Sequence, residues 1–204
     1  MKKLESSLRN MTLSLGSVTL IAALLLSWVN GITKEPIQQA ESATQSKALA
    51  AVLPEHDNQP LEEKFSVTIN EGTADSVLVT IYPAKMNGKL VGAAVESTAD
   101  GYADKVTVIY GFEQDGIVRN YAVMKQMETP GLGAKMQDWF RDPTGKRSVI
   151  GRNPGSENMT VTKDGGTVDA ITAATISSRA FLNTLNDAFT AYQNIQAEEK
   201  GGQQ

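Results

Sequence analysis

The sequence predicts an α+β protein in which antiparallel strands occupy the middle of the chain and helices occupy both ends. Residues 11–29 form a long uncharged segment, residues 65–123 alternate between short β-type runs and turns, and residues 181–192 repeat apolar side chains at helical spacing. Strands grouped together and then closed by a helix are typical of an α+β domain rather than of an alternating α/β fold.

The composition excludes several classes of function. Hydrophobic residues make up 41% of the chain and charged residues 21%, a balance typical of a folded domain. The formal net charge is -4, which gives no electrostatic basis for binding nucleic acid. The chain has no cysteine, so thiolate metal sites, iron–sulfur clusters and disulfides are impossible. The one histidine, His56, lies in a polar stretch typical of solvated surface. We therefore predict no metal site and no catalytic side chain, and any chemistry would need a borrowed cofactor.

The uncharged segment is long enough to span a membrane. As a helix, residues 11–29 would extend about 28 Å at 1.5 Å per residue, close to the thickness of a bilayer's hydrocarbon core. A cleaved signal peptide is the alternative interpretation, but the apolar run is longer than a usual signal core and no small-x-small cleavage site follows closely. Trp28 lies where an interfacial aromatic residue is expected. We predict a retained transmembrane helix over residues 11–30.

The residues before this helix predict its orientation. Within residues 1–10, three basic side chains (Lys2, Lys3 and Arg9) outnumber the single acidic Glu5. Positive charge next to a membrane helix favours the cytoplasmic side. We therefore predict a cytoplasmic N-terminus and place the rest of the chain outside the cytoplasm.

The remaining chain divides by composition. Residues 31–59 are rich in Ala, Gln, Glu and Lys, which predicts a polar linker helix that ends before Pro54. A globular domain is predicted over residues 60–196, and residues 197–204 are predicted to be a polar tail.

The globular domain carries strand and hairpin signals. The dipeptide Asn87-Gly88 and the turn at residues 114–116 each separate two β-type runs, which predicts two hairpins. Residues 131–140 are predicted to form a short helix. The predicted strands cover residues 65–69, 76–82, 90–95, 106–112 and 117–123.

The first motif with chemical meaning is Asp-Ala-Ile-Thr-Ala-Ala-Thr, which begins at Asp169 and ends at Thr175. Thr172 is a suitable N-cap for the following helix, and Thr175 would then be the third helical residue. Free N–H groups in the first turn of a helix form a seat for a phosphate, and the small Ala173 and Ala174 would let a bulky group approach the backbone. Without a ligand, the segment is an ordinary capped helix start.

The second motif is the hexapeptide Glu128-Thr129-Pro130-Gly131-Leu132-Gly133. It predicts a strand end followed by a tight Pro-Gly turn. Gly131 and Gly133 would let the backbone approach a ligand closely, while Glu128 and Thr129 supply polar groups. An ordinary surface turn is the alternative interpretation.

The two motifs together resemble those of a known family. The first is similar to the flavinylation motif Asp-x-x-(Ser/Thr)-(Gly/Ala)-Ala-Thr. The second is similar to the Glu-Thr-Pro-Gly-Leu-Gly motif of an FMN-binding domain, which the G subunit of the Rnf electron transport complex shares with the C subunit of the sodium-translocating NADH:quinone reductase. The motifs occur in the family's order, 41 residues apart (169 − 128). Of these two relatives, the chain length favours the G subunit of the Rnf complex over the C subunit of the quinone reductase.

The resemblance implies a covalent FMN, bound by a flavin transferase through a phosphoester to Thr175. It also implies that both motifs surround the cofactor. The implied cofactor-binding residues are Thr175, Thr172, Ala173, Ala174, Asp169, Glu128, Thr129, Gly131, Leu132 and Gly133.

The implied function is electron relay, not free-standing catalysis. In the family, the complex passes electrons between ferredoxin and NAD and couples this transfer to ion movement across the bacterial inner membrane. The implied partners are the other Rnf subunits, above all the membrane subunit that carries a second FMN. Two alternatives stay open: a membrane-tethered, extracytoplasmic FMN-binding reductase module, and an assembly module without redox function.

Overall fold

The computed structural model describes residues 8–72 and 76–201, with the side chains of residues 198–201 left out. The predicted orientation depends on Lys2, Lys3 and Glu5, which lie outside the described residues, as do the last three residues of the predicted tail. The chain divides into two compact units, residues 1–44 and residues 45–204.

The elements confirm the predicted α+β class. Each predicted strand is present, and most extend beyond the predicted ends because neighbouring strands pair further than the turn residues alone indicate. The predicted short helix is a 3₁₀ turn followed by one α-helical turn. In chain order the elements are α1 (Leu8–Val52), β1 (Phe65–Ile69), β2 (Val77–Met86), β3 (Lys89–Asp100), β4 (Lys105–Glu113), β5 (Val118–Lys125), a 3₁₀ turn (Gly133–Lys135), α2 (Met136–Trp139), a second 3₁₀ turn (Thr162–Asp164) and α3 (Thr175–Gly201).

The predicted membrane helix and linker helix are one element, α1, which ends before Pro54 as predicted. Pro36 lies inside it and removes one backbone donor without ending the helix. In the first unit, α1 contains a stretch that is long and apolar enough to cross a membrane, by length and composition. The hydroxyls of Thr12, Ser17 and Thr19 donate hydrogen bonds to carbonyls of their own helix three or four residues earlier. These bonds give each hydroxyl a hydrogen-bond partner, which the hydrocarbon core of a bilayer does not provide.

The second unit is built on a five-stranded antiparallel sheet with the simple order β1-β2-β3-β4-β5. The turn between β2 and β3 has positive φ values of 52° at Asn87 and 75° at Gly88, which confirms the predicted hairpin. The helix α3 covers one face of this sheet. The Tyr110 hydroxyl donates to the carbonyl of Phe181, and the Tyr192 hydroxyl donates to the carbonyl of Glu113, both at 2.8 Å. Two buried tyrosines therefore fix α3 against the strands.

The opposite face of the sheet is covered by the last two turns of α1. Leu49 and Val52 are buried there against Tyr82 and Ile109. The contact is close at Gly111 of β4, where an added Cβ would lie 1.9 Å from the carbonyl oxygen of Val52. The end of α1 therefore belongs to the core of the second unit.

Replacing Leu49 by Ala should destabilise the second unit by about 2–5 kcal/mol, because it leaves a cavity beneath a side chain that is 4% exposed. Thermal unfolding of the full-length protein in detergent measures the effect. Lys47→Ala, an exposed position on the same helix, is the matched control and should unfold like the wild type. Equal melting temperatures for the two variants would contradict the packing of α1 on the sheet.

Candidate functional site

The two sequence motifs lie on the walls of one cleft of about 540 Å³. A volume of this size falls within the range of small-molecule and cofactor sites. Three separate segments form the walls: the loop between β3 and β4, the chain after β5, and the start of α3. The lining residues are Tyr102, Glu128, Thr129, Leu132, Gly133, Ala173, Ala174, Thr175, Ile176 and Ser177.

The start of α3 corrects the predicted capping. Ala173 has a φ of 61°, the N–H of Ala174 donates to the carbonyl of Ile171 at 3.0 Å, and the helix begins at Thr175. Thr172 is therefore in a turn before the helix and is not its N-cap, and Thr175 is the first helical residue instead of the third. The reason is Ser178, whose hydroxyl accepts from the N–H of Ile171 and donates to the carbonyl of Ala174, both at 2.9 Å.

The corrected register leaves a phosphate seat at Thr175. The first intrahelical bond of α3 runs from the N–H of Ser178 to the carbonyl of Ala174 at 3.0 Å. The N–H groups of Thr175, Ile176 and Ser177 therefore have no intrahelical partner. Thr175 is half-buried and lines the cleft. Its hydroxyl thus lies in the helix turn that is best suited to an anion.

The turn after β5 confirms the predicted Pro-Gly turn. The N–H of Leu132 donates to the carbonyl of Thr129 at 3.1 Å, and Gly131 has a φ of 77°. This turn sends the chain back toward α3, so that Leu132 and Gly133 reach the cleft.

Glu128 holds the three walls together. Its side chain is 4% exposed. One carboxylate oxygen accepts hydrogen bonds from the N–H groups of Tyr102 and Ala103, at 2.8 and 3.1 Å. The other accepts from the Ser177 hydroxyl at 2.5 Å. The carboxylate therefore joins the β3–β4 loop to the first turn of α3.

Two glycines make room for this carboxylate. An added Cβ at Gly101 would lie 2.4 Å from Oε1 of Glu128. An added Cβ at Gly133 would lie 2.8 Å from Oε2 of Glu128 and 2.4 Å from the hydroxyl of Ser177. Glu128 and Gly133, the first and last residues of the hexapeptide, therefore pack against each other beside Ser177.

The edge of the cleft is apolar and exposed. Tyr102 is 71% exposed, Ile176 50% and Leu132 39%. Large apolar side chains left in water around a concave site are typical of a surface that binds a ligand or partner. The cleft thus combines an anion seat at one helix terminus with an apolar surface suited to a flat aromatic ring.

Some predicted site residues lie beside the cleft. Thr172 and Gly131 do not line it. Asp169 also does not line it, and its side chain accepts from the N–H of Lys146 at 3.0 Å while its carbonyl accepts from the indole N–H of Trp139 at 2.9 Å. Asp169 therefore fixes the chain that leads into the start of α3.

The sequence prediction missed Tyr102, Ile176 and Ser177 among the lining residues. Ile176 and Ser177 directly follow the first motif, so helical continuation beyond Thr175 could have found them. Tyr102 comes from a distant loop; Gly101-Tyr102 also fits the family resemblance, but that likeness did not predict that Tyr102 lines the cleft.

Charged groups near the site are paired at the surface. Hydrogen bonds from Arg179, one turn after Thr175, lower the pKa of Asp164. A backbone hydrogen bond at Lys105 and the nearby Lys125 ammonium lower the pKa of Asp104. Among the described residues, no group of three or more His, Cys, Asp or Glu side chains could hold a metal ion.

The class of protein that this fold and site define is an FMN-binding domain behind an N-terminal apolar helix. A family model described as "FMN-binding domain" matches residues 101–190, a range that contains all three walls of the cleft. The predicted FMN cofactor is thereby supported by an independent comparison.

Comparison with individual proteins narrows the assignment. The chain is 32% identical to the G subunit of the ion-translocating oxidoreductase complex of Cereibacter sphaeroides over 192 residues, which cover 91% of this chain and 84% of the relative. It is 31% identical to the protein of the same name in Aliivibrio fischeri, covering 95% of this chain and 94% of the relative. It is 30% identical to the G subunit of the Na⁺-translocating ferredoxin:NAD⁺ oxidoreductase complex of Acetobacterium woodii, covering 87% and 88%. The chain belongs to the family of G subunits of ion-translocating oxidoreductase complexes, as the two motifs together with the chain length predicted.

Replacing Gly133 by Ala should lower the stability of the protein by about 1–3 kcal/mol, because the new methyl group meets Glu128 and Ser177 inside the cleft wall. Thermal unfolding reports the loss. Lys135→Ala changes an exposed side chain of the same 3₁₀ turn and should leave the melting temperature close to that of the wild type. An unchanged melting temperature for Gly133→Ala would contradict the close approach.

Proposed function

We propose that this chain is the membrane-anchored electron-transfer subunit of a ferredoxin:NAD⁺ oxidoreductase complex of the Rnf type, with FMN bound covalently to Thr175. The observation that carries the proposal is the position of the Thr175 hydroxyl. It lies at the free N–H groups of α3 and in the same cleft as the Glu-Thr-Pro-Gly-Leu-Gly motif. Family membership and the FMN-binding domain support the assignment.

The residues of the cleft fit the parts of FMN. The hydroxyl of Thr175 would form the ester to the phosphate, and the N–H groups of Ile176 and Ser177 would donate to its remaining oxygens. Tyr102, Leu132 and Ile176 would cover the isoalloxazine ring. When bound, FMN supplies the electron-accepting and electron-donating chemistry.

The contribution of the chain is retention and orientation. Attachment through the phosphate leaves the redox ring chemically unaltered. A flavin that dissociated outside the cytoplasm would be lost by dilution, and a net charge of -4 gives the protein little general attraction for a phosphate. A covalent bond at the helix start would prevent dissociation and would not depend on the net charge of the protein. A flavin transferase would form this ester by moving the FMN phosphoryl group from a flavin dinucleotide to the Thr175 hydroxyl, which breaks the diphosphate bond, releases the other nucleotide and frees the hydroxyl proton.

The anchor and its partners complete the proposal. The apolar part of α1 would span the bacterial inner membrane, with the N-terminus in the cytoplasm and the FMN domain outside it. Electrons would pass between the cleft and the other Rnf subunits, above all the membrane subunit that carries the second FMN. The exposed apolar edge of the cleft, formed by Tyr102, Leu132 and Ile176, would be the contact surface for this transfer.

Thr175→Ala should abolish the covalent flavin while keeping the fold, because the half-buried side chain lies at a helix start and outside the core. Intact-mass spectrometry of protein co-expressed with a flavin transferase measures the adduct. The variant should have the mass of the bare polypeptide, near 21.9 kDa, and should show no in-gel flavin fluorescence.

Thr190→Ala is the matched control. Thr190 is an exposed threonine on the same helix, and its hydroxyl donates to the carbonyl of Asn186. This variant should keep the adduct. A flavin that remains on Thr175→Ala would place the attachment elsewhere. A wild type without flavin would favour the alternative of a non-redox assembly module.

The cysteine-free chain allows a direct test of the proposed orientation. A single cysteine at Lys89, an exposed position after the Asn87-Gly88 turn, should react with a membrane-impermeant maleimide in cells whose outer membrane is permeabilised. A single cysteine at Ser6 should react only after lysis. The reverse pattern would overturn the orientation.

A further inference from the structure

A buried carboxylate in the wall of a redox cleft has an electrostatic consequence. Building on the proposed function, we propose that Glu128 lowers the reduction potential of the bound FMN. It would do so as a fixed negative charge that acts on the ring through space, while its hydrogen bonds are made to the protein.

The charge at Glu128 is fixed in position. The N–H groups of Tyr102 and Ala103 and the hydroxyl of Ser177 all donate to its two oxygens. The two backbone N–H groups can only donate, and a carboxylate, whose oxygens only accept, suits these contacts. Gly101 and Gly133 both lie against the carboxylate, since an added Cβ at either would approach one of its oxygens to 2.4 or 2.8 Å.

The charge at Glu128 also has no neutralising partner among the described side chains. No Lys or Arg of the described chain forms an ion pair with it, whereas Asp104 of the β3–β4 loop is paired with Lys125, and Asp164 is paired with Arg179 of α3. Its three donors are neutral groups, which stabilise the anion without cancelling its charge. The wall of the cleft therefore carries a net negative charge at this point.

The charge lies close enough to act on a bound ring. A sphere with the volume of the cleft is about 10 Å across, which does not exceed the Debye length of about 10 Å at 0.1 M salt. With a ring bound, the apolar side chains of Tyr102, Leu132 and Ile176 would exclude part of the water between the wall and the ring. At an effective dielectric constant near 20, a unit charge about 10 Å away changes the equilibrium constant for adding one charge to the ring about tenfold. Adding electrons beside an anion is unfavourable, so the effect lowers the potential.

The experiment is a dye-equilibrium redox titration of the full-length flavinylated protein in detergent, with dithionite as the reductant. Glu128→Gln keeps the shape and one carbonyl acceptor but removes the charge. At the wild-type midpoint potential, its ratio of reduced to oxidised FMN should be about tenfold higher, a rise of about 30 mV for a two-electron couple.

Two variants separate charge from structure. Ser177→Ala removes a donor to Glu128 but keeps the charge, so the ratio should stay at or below the wild-type value. Glu128→Asp keeps the charge on a shorter side chain and should also show no rise. A purely structural role predicts instead that all variants that disturb the contact shift the ratio together.

The outcomes distinguish this inference from the proposed function. A wild type that carries no flavin defeats the proposed function itself. If the wild type and Glu128→Gln both carry flavin and their ratios agree within about twofold, the electrostatic role of Glu128 is wrong. If Glu128→Gln does not take up flavin, Glu128→Asp decides, because a tenfold rise in spite of the retained charge would show that geometry sets the potential.

Discussion

The buried carboxylate of Glu128 is the interaction on which the site depends. It joins a loop at residues 101–103, the turn at Gly133 and the first turn of α3, which are separated by many residues in sequence. A buried carboxylate is costly unless its oxygens are satisfied, so the three donors must arrive together. Because the donors belong to different walls, the requirement that stabilises the carboxylate also determines the shape of the cleft.

The groups that line the cleft are suited to binding a cofactor. The chain has no cysteine and one histidine, and the ring nitrogen Nδ1 of His56 lies 2.8 Å from the carbonyl of Pro54, in a segment that does not line the cleft. What the described residues offer is a hydroxyl at a helix start, free N–H groups and an apolar edge. These groups are suited to holding and orienting a cofactor, which would supply the electron chemistry.

The fold prediction succeeded where a local signal was sufficient. The Asn87-Gly88 turn, the alternation in β1 and the apolar repeat of α3 each depend on residues that are close in sequence. The prediction failed at the start of α3, because two side chains could each organise the turn before that helix. Thr172 has the usual capping residue type, but the hydroxyl of Ser178 closes the turn through bonds to Ile171 and Ala174. The preference of a threonine for the N-cap position is weaker than a buried hydrogen-bond network that pairs both the N–H of Ile171 and the carbonyl of Ala174.

The sequence by itself determined the α+β class, the apolar N-terminal segment, the two motifs and the position of Thr175 close to the start of the last helix. Each is a property of composition, spacing or short-range conformation. Only the tertiary structure decided that the motifs share one cleft, that Tyr102 and Ser177 belong to it, and that Asp169 supports it from behind. Contacts between residues far apart in sequence depend on how the sheet and α3 pack, and no local pattern specifies that packing.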